Sequence, residues 1–188
     1  MRLCGMTNAF IISLGLIVGS AQAETFTPTE ALLSLNGQWT GTLSYLDYQA
    51  NKWFDLPQTR TMSVLGDKHT VLETAIYDDG PKTGLVYIFT LSAFEPDGKT
   101  VKSFSTRKGR PASSDTQTVR FGGANPTASA FVLVFESDAE DGGRPARIRV
   151  TLTFKDNLYT TLKEVDFTDD AKTEWLTRNR SVLKRVSF

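Results

Sequence analysis

The stretch "LNGQWTGTLSYLDYQANKW", residues 35–53, decides the fold. A tryptophan, Trp39, stands between Gly37 and Gly41, directly before a run in which apolar and polar residues alternate. Alternation with period two is typical of a β-strand with one buried face, and it places Trp39 and Tyr45 on that face. A strand that closes a barrel bends sharply, and glycine supplies both the bend and room beside a large ring. We therefore expect the indole of Trp39 to plug one end of a barrel.

Short β-rich runs follow one another along the rest of the chain, separated by turn sequences such as "EPDGK" and "KDN". Consecutive strands joined by tight turns favour an up-and-down arrangement, and closure removes the exposed strand edges. A two-sheet sandwich is the alternative, but its longer crossover loops suit these connections less well. The predicted strands are 38–48, 58–65, 69–77, 84–94, 100–108, 116–121, 130–137, 146–155, 158–167 and 173–186.

A short helical turn is predicted just before the first strand. Thr27 suits the N-cap, Pro28 the first helical position, and Glu30 follows the cap by three residues, which is a capping-box pattern. The predicted fold class is therefore all-β: a single antiparallel up-and-down β-barrel of about ten strands with a short N-terminal helical turn.

The first 23 residues, "MRLCGMTNAFIISLGLIVGSAQA", have the layout of a secretory signal. Basic Arg2 precedes a short apolar run, and Ala-Gln-Ala precedes the expected cleavage point. An uncleaved anchor is the alternative, although the apolar run is short for crossing a bilayer. We predict a cleaved signal peptide over 1–23 and a barrel domain over 24–188. The expected location is periplasmic or secreted, with no stable membrane insertion after cleavage.

Composition narrows the chemistry of the mature chain. The only cysteine, Cys4, lies in the segment expected to be removed, so no disulfide, thiolate nucleophile or cysteine metal site is expected. Removal of Arg2 leaves 20 basic residues (21 minus 1) against 21 acidic ones, a formal net charge of −1. Because there is no basic block, we expect no nucleic-acid partner.

Sequence patterns for catalysis or metal binding are weak. The only histidine, His69, sits beside a turn and no Gly-x-Ser-x-Gly elbow accompanies it, so we interpret it as a solvated strand end. A zinc site needs several His or Cys ligands. Acidic turns such as "DAEDGG" lack the regular spacing of a calcium loop. We predict no catalytic residue, no metal and no cofactor.

The helical turn, the Gly-x-Trp-x-Gly step and the strand meander resemble the calycin superfamily of lipocalin-like barrels. The glycine-bracketed tryptophan looks most like nitrobindin-type and related small bacterial barrels of ten strands. The resemblance implies that an arginine near the chain end packs across the tryptophan; the candidates are Arg178, Arg180 and Arg185, with Arg185 preferred by position. A nitrobindin-type barrel holds haem through a histidine in its C-terminal part, where this sequence has none.

Alternation within the strands also predicts a ligand site inside the barrel. A buried carboxylate or guanidinium must find a partner, which for Glu73 would be Arg107, Arg180 or the polar end of a ligand. A satisfied internal network, or a different strand phase, is the alternative. The predicted ligand-binding residues are Tyr45, Glu73, Tyr87, Phe89, Phe104, Arg107, Phe131, Phe135 and Arg180; those predicted to be structural are Gly37, Trp39, Gly41 and Arg185.

Three functions are compatible with these patterns. The leading hypothesis is an exported lipocalin-like barrel that binds a small, mostly apolar molecule in its interior. The second is an enzyme acting on a hydrophobic small molecule through inward Tyr, Glu or Arg groups. The third is a filled barrel that works through its surface, marked by an exposed apolar patch.

Overall fold

The computed structural model describes residues 26–47 and 50–186. The predicted signal peptide and residues 24–25, 48–49 and 187–188 of the predicted domain lie outside the described residues, and so does the last residue of the predicted strand 38–48. The described chain contains two short helices and ten strands. The elements are α1 (Pro28–Leu33), β1 (Gly37–Asp47), β2 (Lys52–Val64), β3 (Thr70–Asp78), α2 (Gly80–Thr83), β4 (Leu85–Phe94), β5 (Thr100–Arg107), β6 (Ser113–Phe121), β7 (Ala130–Asp141), β8 (Arg144–Lys155), β9 (Leu158–Phe167) and β10 (Leu176–Arg185).

The strands form a closed antiparallel barrel in the order β1-β10-β9-β8-β7-β6-β5-β4-β3-β2. Each strand therefore pairs with its neighbours in sequence, and β1 closes the barrel against β10, with Trp39 opposite Arg185 and Tyr45 opposite Asn179. The all-β, ten-strand, up-and-down prediction is confirmed, and the two-sheet sandwich is wrong.

Tight hairpins join the later strands. Asp156 and Asn157 connect β8 to β9 with φ of 53° and 58°, and Gly142 and Gly143 connect β7 to β8 with φ of 63° and 80°. Two successive residues with positive φ give the two-residue turn whose twist matches that of the flanking strands. This is the reason why short sequences such as "KDN" suffice as connections.

Some element bounds differ from the prediction. Strand β2 starts at Lys52, opposite Asp47, rather than at residue 58, so the first hairpin is longer than expected. Strand β10 starts at Leu176 and carries a register shift between Thr177 and Asn179. The connection between the predicted strands 69–77 and 84–94 contains the short helix α2, which the sequence did not predict.

Helix α1 begins with the predicted capping box. The Thr27 hydroxyl accepts a hydrogen bond from the Glu30 amide (3.2 Å), and the Thr27 amide donates to the Glu30 carboxylate (2.8 Å). Ala31 and Leu32 are buried and belong to the core cluster at this end of the barrel. Helix α1 therefore closes the end of the barrel where β1 starts.

Trp39 is the centre of this closed end. Its side chain is 1% exposed, and its indole Nε1 donates to the Leu35 carbonyl at 2.9 Å. The rings of Phe154 and Tyr159 meet it edge-on, with centroids 6.1 and 5.4 Å away. The Arg185 guanidinium covers it at 4.3 Å, and Arg185 is the candidate preferred by position for the arginine that the resemblance implies. The prediction of a tryptophan plug is confirmed.

The structural causes that require glycine on either side of Trp39 differ from the expected one. A Cβ on Gly41 would lie 2.0 Å from the Val182 carbonyl oxygen. Glycine is therefore needed here because the β10 backbone approaches closely, and not because the indole ring needs room. Gly37 has a φ of 132°, which strains other residues, and a Cβ there would lie 2.9 Å from Arg185 Nη1.

Candidate functional site

The interior of the barrel contains two adjoining hollows. The upper compartment, about 360 Å³, lies at the end away from α1, and the lower compartment, about 270 Å³, reaches down to Leu32 of that helix. Volumes of this order suit a small organic molecule. Both compartments are lined by a shared polar band, which consists of Arg60, Glu73, Thr161, Lys163 and Asn179.

The polar band is organised around Arg60 of β2. Its Nε lies 3.5 Å from the Glu73 carboxylate, and its Nη1 donates to the Tyr159 hydroxyl at 2.5 Å. Burial opposes the charge of Arg60, but Glu73 and Tyr159 outweigh that effect and raise its pKa. For Tyr159, burial disfavours the phenolate and raises the pKa to about 12, although the charge of Arg60 acts in the opposite direction. Tyr159 is therefore a neutral hydroxyl at physiological pH.

A second group of polar side chains lines the upper compartment. Tyr45 and Tyr77 are hydrogen-bonded, with ring centroids 6.4 Å apart, and burial together with this bond raises the pKa of Tyr45. Arg107 lies over the Tyr77 ring at 5.9 Å. Among the described residues, no carboxylate lies within salt-bridge distance of Arg107. This guanidinium thus faces the cavity with its charge unmatched by an anion of the described chain.

Two further groups of the cavity have incomplete bonding. Gln58, only 4% exposed, has a side-chain oxygen with no hydrogen-bond partner among the described residues. Leaving such an atom buried and unbonded costs about 1–3 kcal/mol, so an added donor there would be favourable. Lys163 has its nearest carboxylate, Asp141, at 3.9 Å. The upper compartment therefore offers charge and hydrogen bonds that the protein itself does not use fully.

The lower compartment is more apolar than the upper one. Met62, Val71, Val101, Val150 and Leu152 contribute to its walls. Trp39, Phe154 and Tyr159 pack against one another at the closed end of the barrel. The cavity consequently becomes more apolar from its upper to its lower part, while the polar band lines both.

The pairing between β6 and β7 is short. Their register covers only four pairs, from Thr118 opposite Glu136 to Phe121 opposite Leu133. A hollow of about 450 Å³ lies at this seam, and Gln117 lines both it and the lower compartment. The hollow at the seam and the lower compartment therefore adjoin at Gln117.

Five of the predicted ligand-binding residues have the expected inward orientation. Tyr45, Glu73 and Arg107 line the upper compartment, and Phe135 lines the lower one. Phe131 is buried below the cavity, where it packs against other core rings. The partner of Glu73 is Arg60, however, and neither Arg107 nor Arg180, so those two predicted pairings are wrong.

Four predictions of an inward side chain are wrong. Tyr87, Phe89 and Phe104 are 44%, 45% and 49% exposed on the outer face. The inward residues of β4 are Val86 and every second residue after it. Both faces of β4 are apolar, and alternation alone selected the more hydrophobic one. Arg180 pairs with Ser44, between the inward pairs Tyr45–Asn179 and Leu43–Ser181, so it lies outside, over the Trp53 ring at 4.5 Å.

The sequence did not predict that several residues of the polar band, Arg60 and Lys163 among them, face the interior. Arg60 alternates with Gln58 and Met62, and Lys163 alternates with Tyr159, so their common face was readable. The obstacle was chemical, since charged residues within a strand are normally assigned to the solvent face. In these two strands the charged residues Arg60 and Lys163 face inward.

A metal ion or a haem needs ligand side chains that converge on one point. Within residues 26–47 and 50–186, no three His, Cys, Asp or Glu side chains come together as metal ligands do. His69 lies beside the Phe94 ring and lines neither compartment. A haem held by histidine inside this barrel therefore does not fit the residues present. Neither described helix has the length and hydropathy to cross a membrane.

Comparison with known proteins supports the fold alone. No family model and no curated protein matches the chain. Among solved structures, Rv2717c from M. tuberculosis is similar, with a TM-score of 0.59 and 13% identity over 87% of this chain and 100% of that one. A protein of unknown function from the DUF3598 family of Nostoc punctiforme covers 86% of this chain and 100% of its own, at 9% identity and a TM-score of 0.24.

Proposed function

We propose that this protein binds a small, mostly apolar molecule with an acidic end inside the barrel. The observation that carries the proposal is the unmatched guanidinium of Arg107 above an apolar compartment. Polar groups that converge in a largely apolar hollow are the usual features of a ligand site. The acidic end would bind Arg107 and Lys163, and the apolar part would lie against Met62 and Phe135.

Charge and hydrogen bonding favour an acidic ligand over a neutral one. The compartments contain three cations, Arg60, Arg107 and Lys163, but one anion, Glu73, which is already paired with Arg60. Charge-assisted hydrogen bonds to guanidinium are about twice as strong as neutral ones. A donor on the ligand, such as a hydroxyl, would in addition satisfy the free oxygen of Gln58.

We further infer that the protein acts outside the cytoplasm, after removal of residues 1–23, and that the barrel is a distant member of the calycin group. The signal-like N-terminal sequence supports the first inference. The glycine-bracketed Trp39 under Arg185 supports the second.

Binding can be tested with decanoate and its neutral counterpart decanol. We expect decanoate to bind more tightly, and Arg107→Gln to weaken decanoate binding about tenfold, which corresponds to about 1.4 kcal/mol, while decanol affinity changes little. Isothermal titration calorimetry measures both. Arg110→Gln, at an exposed arginine just beyond β5, is the matched control. Native mass spectrometry of protein from its own host would identify the natural ligand.

Two results would contradict the proposal. One is the absence of any bound molecule in the native protein together with no measurable binding of decanoate or decanol. The other is equal affinity for the two probes in wild type and in Arg107→Gln, which would remove the acidic end from the ligand.

A further inference from the structure

One wall of the barrel is free of charge across its middle, on the outside. The outward residues of β4 are Leu85, Tyr87, Phe89 and Leu91, whose side chains are 42–56% exposed. A strand with four large apolar residues in succession on its solvent face is unusual for a monomeric soluble protein. Strand β4 is therefore the centre of an exposed apolar surface.

The neighbouring strands extend the same surface. Residues directly opposite in a sheet point to the same side, so the register defines rows across the wall. In the first row, Leu91 of β4 lies between Leu72 of β3 and Phe104 of β5, and a serine stands at each end of the row. We call the set of these outward residues the neutral face. Its rows are Ser63-Leu72-Leu91-Phe104-Ser114, Thr61-Thr74-Phe89-Thr106 and Thr59-Ile76-Tyr87.

The opposite wall has a different character. Charged outward residues on β8 and β9 pair across the strands there, as Arg147 with Asp166 and Arg149 with Glu164. On the neutral face the nearest charges are at its margins, for example Asp78 and Lys102. Lys102 is paired with Glu95 at 3.2 Å. The outer surface of β8 and β9 therefore carries ion pairs, whereas the neutral face carries apolar and hydroxyl side chains.

We propose that the neutral face is the interface of a symmetric dimer of this protein. In a two-fold dimer the same patch meets itself, so any charge on it would approach an identical charge on the partner. The absence of charge from the three rows removes that repulsion, whereas threonine and serine hydroxyls can both donate and accept hydrogen bonds. A self-complementary surface of this kind fits a second copy of the chain.

The area is sufficient for a dimer of moderate affinity. Taking about 200 Å² for each large side chain, the exposed fractions of five apolar residues of the three rows correspond to roughly 440 Å². The flanking hydroxyl residues extend this toward the roughly 800 Å² that each partner buries in a standard interface. These five residues are Leu72, Tyr87, Phe89, Leu91 and Phe104.

Sedimentation velocity over a concentration series tests the dimer. We expect the wild-type protein to dimerise with a micromolar Kd, and Phe89→Asp to raise that Kd at least tenfold. Val182→Asp is the matched control, because Val182 is 44% exposed on β10, away from the neutral face, and its variant should dimerise like wild type. Mixing Phe89→Asp with Phe89→Lys should restore dimers, since opposite charges then meet.

Folding is checked separately by far-UV circular dichroism and thermal unfolding, and Leu91→Asp provides a second variant in the neighbouring row. A wild-type protein that is monomeric at 200 µM would overturn the proposal, as would equal weakening by the Phe89 and Val182 substitutions. Vesicles of phosphatidylethanolamine and phosphatidylglycerol provide the last arm. A monomer that binds them through Phe89 would assign the neutral face to a lipid surface instead.

Discussion

The guanidinium of Arg185 lies over the indole of Trp39, with its Cζ atom 4.3 Å from the ring centroid. The same group donates to the carbonyl oxygens of Asn36 (2.5 Å) and Ser34 (3.0 Å). Ser34 is the C-cap of α1 and Asn36 immediately precedes β1. One side chain from the last strand therefore joins the helix, the first strand and the plug of the barrel.

Replacing this arginine should destabilise the fold. We expect Arg185→Met to lower the free energy of unfolding by about 2–4 kcal/mol, because it removes a cation–π contact and two charge-assisted hydrogen bonds. The free energy of unfolding of Arg185→Lys should lie between those of wild type and Arg185→Met, because lysine retains the charge but lacks the planar fork that donates to both carbonyls. Urea denaturation measures the effect. Lys184→Met, at the exposed neighbouring position, is the control and should change stability by less than about 0.5 kcal/mol.

The contrast between β1 and β4 shows how far the sequence predicts this structure. In β1, alternation, the two glycines and the capping box before it all indicate the same arrangement, and the plug by Trp39 is confirmed. In β4 both faces are apolar, so periodicity cannot choose between Val86 and Tyr87 as the inward residue. Only the register with β3 and β5, which is a property of the whole barrel, settles that phase.

The candidate site was less predictable than the fold for a related reason. An arginine inside a barrel is favourable only when partners from distant strands surround it. Arg60 finds Glu73 on β3 and Tyr159 on β9, 99 residues further along the chain. No local pattern encodes that meeting. In β10, a register shift between Thr177 and Asn179 interrupts the alternation, so the phase read from the start of the strand does not apply to Arg180, which pairs with Ser44 and faces outward.

Gly41 is predicted to be intolerant of any side chain. A Cβ there would lie 2.0 Å from the Val182 carbonyl oxygen and 3.0 Å from the Leu183 Cα, both backbone atoms that cannot rotate away. We expect Gly41→Ala to destabilise the protein by at least about 2 kcal/mol, as overpacking does in well-packed interiors. Gly66→Ala is the control, because its Cβ would meet nothing within 4 Å. Similar melting temperatures for the two variants would contradict the close approach of β1 and β10.

Alkaline pH should weaken the fold through Tyr159. Burial raises its pKa to about 12, above the value near 10 of an unfolded tyrosine. Its contribution to stability is therefore complete below pH 10 and is lost as the pH rises through about 12. Tyr159→Phe should be less stable at neutral pH by about 1.5–3 kcal/mol, because Arg60 loses a hydrogen bond. The variant should also lose less stability than wild type between pH 10 and 12.

Unfolding by urea at a series of pH values measures this difference. Tyr87→Phe is the matched control, since Tyr87 is exposed on the outer wall and its substitution leaves the interior untouched. Equal alkaline slopes for wild type and Tyr159→Phe would show that the hydroxyl of Tyr159 is not shielded as described.

Two turns of the same design should govern the response to acid. Asp67 accepts hydrogen bonds from the side chain and amide of Thr70 and from the His69 amide, and these bonds lower its pKa. Asp97 does the same with Thr100 and the Lys99 amide before β5. A depressed pKa in the folded state gives stability that is present above the unfolded value near 4 and is lost as the pH falls through the folded value.

The double variant Asp67→Asn, Asp97→Asn should therefore show a smaller fall in unfolding free energy between pH 5 and pH 2 than wild type, because neither asparagine takes up a proton. Asparagine retains an acceptor oxygen for the amides of the turn, so the variant should still fold at pH 7. Asp156→Asn, which replaces a carboxylate of the exposed β8–β9 turn, is the matched control, and the acid slopes of both variants are compared with that of wild type. If the double variant kept the wild-type slope, the hydrogen-bonded carboxylates of these turns would not be a source of acid sensitivity.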